Sequence, residues 1–209
     1  MGRVNKMFSI YAKKVFLVYK LDKMKRNYLV TGLPIRKIDN YDIPVIYDCL
    51  IIGGSLGSKP LCDIAKLISK KYKVCLIAGK YYKDYISYDN LKVIEYADNI
   101  YYYMKASKVI LCRAGSSTTY EIISMGIPLI VCPSENTKDD HQNLNALYFL
   151  KNNVCKLVRE NNLNKDIINV LTLLINNEKV RKDMINNQNK FCIKSASNKI
   201  KENILSDLK

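Results

Sequence analysis

This sequence has one histidine in 209 residues, no C-x-x-C pair and no long apolar run. A single His, His141, with no Cys, Asp or Glu at ligand spacing argues against a metal centre. It also lacks the Ser–Asp partners of a hydrolytic triad, so we read it as a capping or packing residue. The longest apolar runs, Val109–Cys112 and Pro128–Pro133, are too short to span a membrane. Nothing after Met1-Gly2-Arg3-Val4-Asn5-Lys6 has the apolar core of a signal peptide. Arginine is scarce too: six of the 34 basic residues, against 19 acids and a net charge of +15. Lysines spread along the chain without an RNA-binding aromatic signature or zinc-finger spacing argue against nucleic acid. A Lys-, Asn-, Ile- and Tyr-rich composition is also what an AT-rich genome imposes. An anionic membrane surface remains an expected partner for the charge.

What is present is a globular composition, 48% hydrophobic. The seven cysteines are Cys49, Cys62, Cys75, Cys112, Cys132, Cys155 and Cys192. Five of them lie in or beside apolar runs, the pattern of reduced, buried, cytosolic thiols. From residue 47 apolar runs recur at Cys49–Ile52, Val74–Ala78, Val93–Tyr96, Val109–Cys112, Leu129–Cys132 and Val154–Val158. Helical stretches are expected between most of them, at about 58–71, 98–106, 117–125 and 140–151. Continuous apolar strands alternating with helices predict an α/β domain, a Rossmann-like parallel sheet with helices on both faces. Such sheets bind ligands beyond the carboxyl ends of their strands. The domain reading is 1–46 as the tail of another domain plus a linker, 47–165 as the core, and 166–209 as C-terminal helices.

Three loops at expected strand ends carry the chemistry. Cys112-Arg113-Ala114-Gly115-Ser116-Ser117-Thr118-Thr119-Tyr120-Glu121 passes from an apolar strand into a helix. Unpaired N–H groups at a helix start, the positive end of its dipole, suit a phosphate. Gly115 permits close approach, and the hydroxyls add donors. Glu121 suits a sugar diol, since like charge excludes it from the phosphate. An ordinary capped helix with a solvated Glu explains this segment alone equally well. Gly53-Gly54-Ser55-Leu56-Gly57-Ser58 also follows a strand, but matches neither a Walker A loop nor G-x-G-x-x-G, and a plain glycine turn explains it as well. The third loop leads from Pro133 to a helix starting near Asp139 or Asp140, with Gln142 in its first turn. An amide there can both donate to and accept from a sugar hydroxyl.

In combination and in order, Gly53–Gly57, Arg113–Glu121 and His141–Ala146 resemble the donor-binding half of the MurG family. Ala12–Phe16 resembles the end of that family's N-terminal domain. Thr31-Gly32-Leu33-Pro34-Ile35-Arg36 is similar to its Gly-Asn-Pro-Val-Arg segment, with Leu33 in place of Asn. The resemblance implies the C-terminal half of a two-domain GT-B glycosyltransferase. It implies a UDP-dependent hexosyltransferase that moves N-acetylglucosamine from UDP-N-acetylglucosamine to lipid I, forming lipid II in peptidoglycan synthesis. It implies substrate-binding roles for Arg36, Gly54, Ser55, Ala97, Arg113, Gly115, Ser116, Ser117, Thr118, Thr119, Glu121 and Gln142. No cofactor beyond the donor substrate is implied. The partners are an undecaprenyl-linked acceptor and an anionic membrane, with a peripheral location on the inner face of the plasma membrane.

The family's acceptor site, with its Gly-rich loop and His, has no counterpart in this sequence, and no convincing catalytic base is read. Asp139 and Asp140 are read instead as helix N-terminal acids. The expectation is therefore a donor half, from a truncated gene, a late start or a separate acceptor-domain polypeptide. The competing readings are a non-catalytic nucleotide-sugar-binding subunit of a split transferase and a related UDP-sugar glycolipid glycosyltransferase.

Overall fold

The computed structural model describes residues 3–35, 42–80, 87–135 and 140–207. They fall into two compact units, Ile38–Phe191 and a discontinuous unit of Met1–Lys37 with Cys192–Lys209.

The larger unit holds six strands: β3 (Tyr47–Ile52), β4 (Val74–Ile77), β5 (Leu91–Ile94), β6 (Ser107–Cys112), β7 (Leu129–Val131) and β8 (Lys156–Leu157). All neighbouring pairs are parallel, in the order β5-β4-β3-β6-β7-β8. The helices are α2 (Lys59–Ile68), α3 (Ile100–Lys105), α4 (Ser116–Ser124), α5 (His141–Lys151), α6 (Leu163–Asn176) and α7 (Glu178–Phe191).

Period-2 alternation divides the strand side chains between two faces. Cys49, Ile51, Val74, Leu76, Val109, Leu111 and Ile130 join a core closed by Leu61, Ile64 and Ile68 of α2 and Ile167, Leu171 and Leu174 of α6. The alternate residues, among them Leu50, Cys75, Ile110, Cys112 and Leu129, are equally buried. Helices α3, α4 and α5 contact β6, β7 and β8. A sheet buried on both faces explains the continuous apolar runs. Pro60 sits in the first turn of α2, where its missing N–H disrupts no helical bond. Gly126, at φ 67°, follows the end of α4 and turns the chain into β7.

All six expected strands have shifted ends: β3 and β6 start two residues earlier, β4 and β7 end one residue earlier, and the other two differ more. The run at Val93–Tyr96 is β5, shifted upstream to Leu91–Ile94, because Leu91 is buried while Glu95 and Tyr96 face solvent. The run at Val154–Val158 forms only the two-residue edge strand β8, although Val158 N–H still donates to the Val131 carbonyl at 3.0 Å.

The smaller unit contains α1 (Arg3–Phe8), a two-stranded parallel sheet of β1 (Val15–Leu17) and β2 (Tyr28–Val30), and α8 (Ala196–Ser206). Asn27 Nδ2 donates to the carbonyls of Ser9 and Ala12, closing the turn after α1. Lys14 Nζ donates to the Asn203 carbonyl at 2.9 Å and pairs with Asp207 at 3.1 Å, joining the N-terminal segment to α8. Thus α8 groups with β1 and β2, while α6 and α7 belong with the six-stranded sheet.

Candidate functional site

From β3 the chain builds outward through β4 and β5, then returns to β3's other side and builds outward through β6, β7 and β8. The boundary between β3 and β6 is the topological switch point, the place where sheets of this kind hold ligands in the crevice between diverging loops. Ile52 and Cys112 are in register at its rim, so Gly53 and Arg113 start neighbouring loops.

The loop after β3 is held by backbone packing. A Cβ on Gly53 would lie 2.8 Å from the Ala78 carbonyl oxygen. A Cβ on Gly79, at φ 87°, would lie 2.3 Å from Gly57 N and 2.4 Å from Gly54 O. Gly57 N–H donates to Gly54 O at 3.1 Å, and Lys80 N–H to Ser55 O at 3.1 Å. Gly53 and Gly79 therefore serve the contact between the β3 and β4 loops. Gly79 was not among the residues read from the sequence, although its place directly after an apolar run was the available signal. Gly54 differs: it needs its positive φ of 84° but has open space where a Cβ would be. Ser55 is exposed, and its hydroxyl has no partner among the described residues.

Helix α4 starts at the crevice. Its N-cap is Gly115, with φ −70° and ψ 130°, which places no side chain over the first turn. A Cβ on Gly115 would meet nothing within 4 Å. The N–H groups of Ser116, Ser117 and Thr118 precede the first possible helical acceptor, and the dipole adds positive potential there. The three hydroxyls have no partner among the described residues. Thr119 breaks the expected row of donors: it is completely buried with Tyr120, Ile122 and Ile123 on the packed side of α4. Helical periodicity turns its hydroxyl inward, away from solvent and any ligand. Glu121 lies one turn beyond exposed Ser117 on the same helix face and is half-buried.

Arg113, which the sequence reading grouped with the ligand contacts, is engaged by the protein itself. Nε donates to Ser58 Oγ at 3.1 Å, and NH2 donates to Ser58 Oγ and Glu160 Oε1, both at 2.8 Å. NH1 donates to Glu160 Oε2 at 3.1 Å and to the Cys132 carbonyl at 3.3 Å. All five guanidinium N–H donors thus have protein acceptors. Hydrogen bonding from Arg113 holds the Glu160 carboxyl below its ordinary range. Glu160 follows β8, and nothing in its local sequence, Arg159-Glu160-Asn161-Asn162, marks it as the partner of Arg113.

The third loop is braced from α5. Gln142 Oε1 accepts from Ser134 N–H at 3.0 Å, leaving the Nε2 donors without an acceptor among the described residues. Asn145 Nδ2 donates to the Ala114 carbonyl at 3.1 Å, tying α5 to the segment just before Gly115. Asp140, at φ 52°, accepts from the Asn143 side chain and does not cap the helix backbone. His141 is exposed at the first position of α5. Ala97 is half-buried between β5 and α3. Arg36 and Asp139 lie outside the described residues.

Among the described residues no group of three His, Cys, Asp or Glu is placed to hold a metal. Six thiols are buried. Burial pushes Cys75, Cys112 and Cys155 up to about 12 and Cys132 to about 11, so all four are protonated at neutral pH.

The sequence model for the glycosyltransferase family 28 C-terminal domain matches residues 48–204. This chain belongs to that family. A relative from Sulfurihydrogenibium sp. (strain YO3AOP1) is UDP-N-acetylglucosamine--N-acetylmuramyl-(pentapeptide) pyrophosphoryl-undecaprenol N-acetylglucosamine transferase. It is 31% identical over 98% of this chain and 62% of its own length. The crystal structure of Acinetobacter baumannii MurG aligns with a TM-score of 0.77 at 22% identity, over 98% of this chain and 64% of that one. The calicheamicin glycosyltransferase CalG4 aligns at 0.60 and 14% identity, over 83% of this chain and 44% of that one. The fold is that of the C-terminal half of a GT-B glycosyltransferase, of the MurG type. This family 28 chain spans about 62% of the length of its Sulfurihydrogenibium relative. Among the described residues no helix is long and apolar enough to cross a membrane.

Proposed function

We propose that this family 28 chain holds UDP-N-acetylglucosamine at the β3–β6 crevice. In this reading it is the donor part of a hexosyltransferase that forms lipid II from lipid I. The observation that carries the proposal is the start of α4. Its N–H groups, three unpartnered hydroxyls and an N-cap with no side chain stand beside a glycine loop at the switch point. The name of the 31% identical relative supplies the substrate.

In this reading the diphosphate lies against Ser116–Thr118 and the Gly54–Ser55 turn. The Glu121 carboxylate accepts from the ribose hydroxyls, and the free Nε2 of Gln142 donates to a hydroxyl of the sugar. An acceptor hydroxyl attacks the anomeric carbon, the bond from that carbon to the β-phosphate oxygen breaks, and UDP leaves with the electron pair. The α4 terminus then stabilises the charge that grows on the departing diphosphate. A base outside the residues named here takes the acceptor's proton. No resident cofactor is needed, and the +15 charge suits a peripheral position on an anionic bilayer.

Calorimetric titration of the 209-residue chain tests the reading. UDP and UDP-N-acetylglucosamine should bind more tightly than ADP. Glu121→Ala should weaken UDP binding by roughly 1.5–3 kcal/mol, the scale of a hydrogen bond to a charged group. Equal affinity for UDP and ADP, or a silent Glu121→Ala, sinks the assignment.

A further inference from the structure

We infer that Glu160 is a positioning residue, and that the Glu160–Arg113 pair is a brace that sets the phosphate end of the crevice without touching the ligand. Arg113 leaves the end of β6 two residues before Gly115. Its fork grips Ser58, which closes the glycine loop and precedes α2, and the carbonyl at the end of β7. Glu160 holds the outer edge of that fork with both oxygens, at 2.8 and 3.1 Å. Its Oε2 also accepts from Glu135 N–H at 3.2 Å, and Glu135 Oε1 in turn accepts from Asn161 N–H at 3.3 Å. One carboxylate therefore ties together the loops after β3, β6 and β7 at the strand ends. Both side chains are mostly shielded, at 15% and 19% exposure, so water screens the pair poorly.

The alternative is that Arg113 is a phosphate ligand which Glu160 keeps parked until a nucleotide arrives. The two accounts predict opposite signs. With Glu160 as a brace, Glu160→Gln loosens the loops and weakens the anion site. With Glu160 as a competitor, the same change frees a guanidinium for the phosphate and tightens binding. The geometry favours the brace, because three of the five donors are occupied by Ser58 and the Cys132 carbonyl, which Glu160 does not control.

The experiment has two arms. The first, which needs no ligand, is hydrogen exchange on the wild type and on Glu160→Gln. Exchange should rise together at the bonded amides of the three loops, Gly57, Thr119 at the start of α4, and Ser134 with Glu135, while the amides of β3, β4 and β6 stay protected. The second arm, which rests on the nucleotide reading, compares UDP with uridine. Glu160→Gln should lower UDP affinity roughly tenfold, the scale of one hydrogen bond to a charged group, and leave uridine within about twofold. Arg113→Lys should behave alike, and the double variant should be no worse than either single one, because both remove the same brace. Glu160→Asp, which keeps the charge, should recover part of the loss. Tighter UDP binding in Glu160→Gln overturns the inference. So does unchanged exchange in the three loops, or a rise spread over the whole sheet, which would make the pair an ordinary stability contact. If the wild type binds no UDP, the nucleotide reading falls and the exchange arm alone decides the brace.

Discussion

Replacing Gly115 with alanine separates folding from binding at the site. The residue has φ −70° and ψ 130°, which alanine adopts freely, and its Cβ would meet no atom within 4 Å. Alanine restricts the unfolded chain, a gain of about 0.4–1 kcal/mol. It is a poorer N-cap than glycine, a loss of several tenths to about 1 kcal/mol. The two nearly cancel, so Tm should move by no more than about 2–4 °C. Binding is different. A phosphate oxygen accepting from the first N–H groups of α4 sits about 2.9 Å from each nitrogen. A methyl group beside that path pushes it away. Losing one charge-assisted bond, about 1.5–3 kcal/mol, lowers UDP affinity roughly 10- to 150-fold. Thermal unfolding and calorimetric titration of the same preparation read both quantities. Gly79→Ala is the control with the opposite pattern. At φ 87° and 2.3 Å from Gly57 N, its Cβ should lower Tm clearly. Unchanged UDP affinity in Gly115→Ala would refute the placement of the diphosphate at α4. A collapse in its Tm would refute the reading of Gly115 as standing in open space.

Three further outcomes are expected. Gln188 is completely buried, and its Nε2 donates to the carbonyls of Ile127 and Val154, both at 2.9 Å. Gln188→Leu leaves two buried acceptors unpaired and should destabilise by roughly 2–4 kcal/mol in chemical denaturation, since each such group costs about 1–3 kcal/mol; a change below about 0.5 kcal/mol would contradict this. The Glu160 carboxyl is held low in the folded state, so its stabilisation is complete above the unfolded carboxylate value of about 4.3 and is lost as pH falls through the lower folded value. Glu160→Gln should therefore reduce the acid-side slope of stability and leave that between pH 6 and 8 unchanged. A thiol reagent at pH 8 should modify Cys192 before the other six, which are buried; fast labelling of Cys112 or Cys132 in the native protein would contradict the packing.

The sheet was legible because burial on both faces writes itself as unbroken apolar runs. Cys49–Ile52 and Val109–Cys112 could hardly serve elsewhere. The edge strand β5 was harder to bound, since Lys92 within it and Glu95 just after it are exposed and weaken the pattern. The start of α4 was legible because Gly115 and three hydroxyls interrupt an apolar context. What escaped were side-chain partnerships across sequence. Nothing local to Arg113 reveals that its acceptor lies 47 residues on, nor that Gly79 packs on Gly57. Thr119 was misplaced for a simpler reason: four consecutive hydroxyls on a helix cannot share one face, and at 3.6 residues per turn one of them must meet the sheet.

The smaller unit is made of two stretches of chain separated by the whole of the larger one. Lys14 and Asp207, which pair across it, are 193 positions apart. The sheet unit is one continuous stretch whose contacts can form without waiting for either flank. In an unfolded chain, bringing residue 14 to residue 207 means closing a loop of nearly two hundred residues. Once the sheet has formed, that interval is no longer free chain, and the closure costs less. Loop closure thus favours forming the sheet unit before Lys14 meets Asn203 and Asp207, an order that hydrogen exchange during refolding would check.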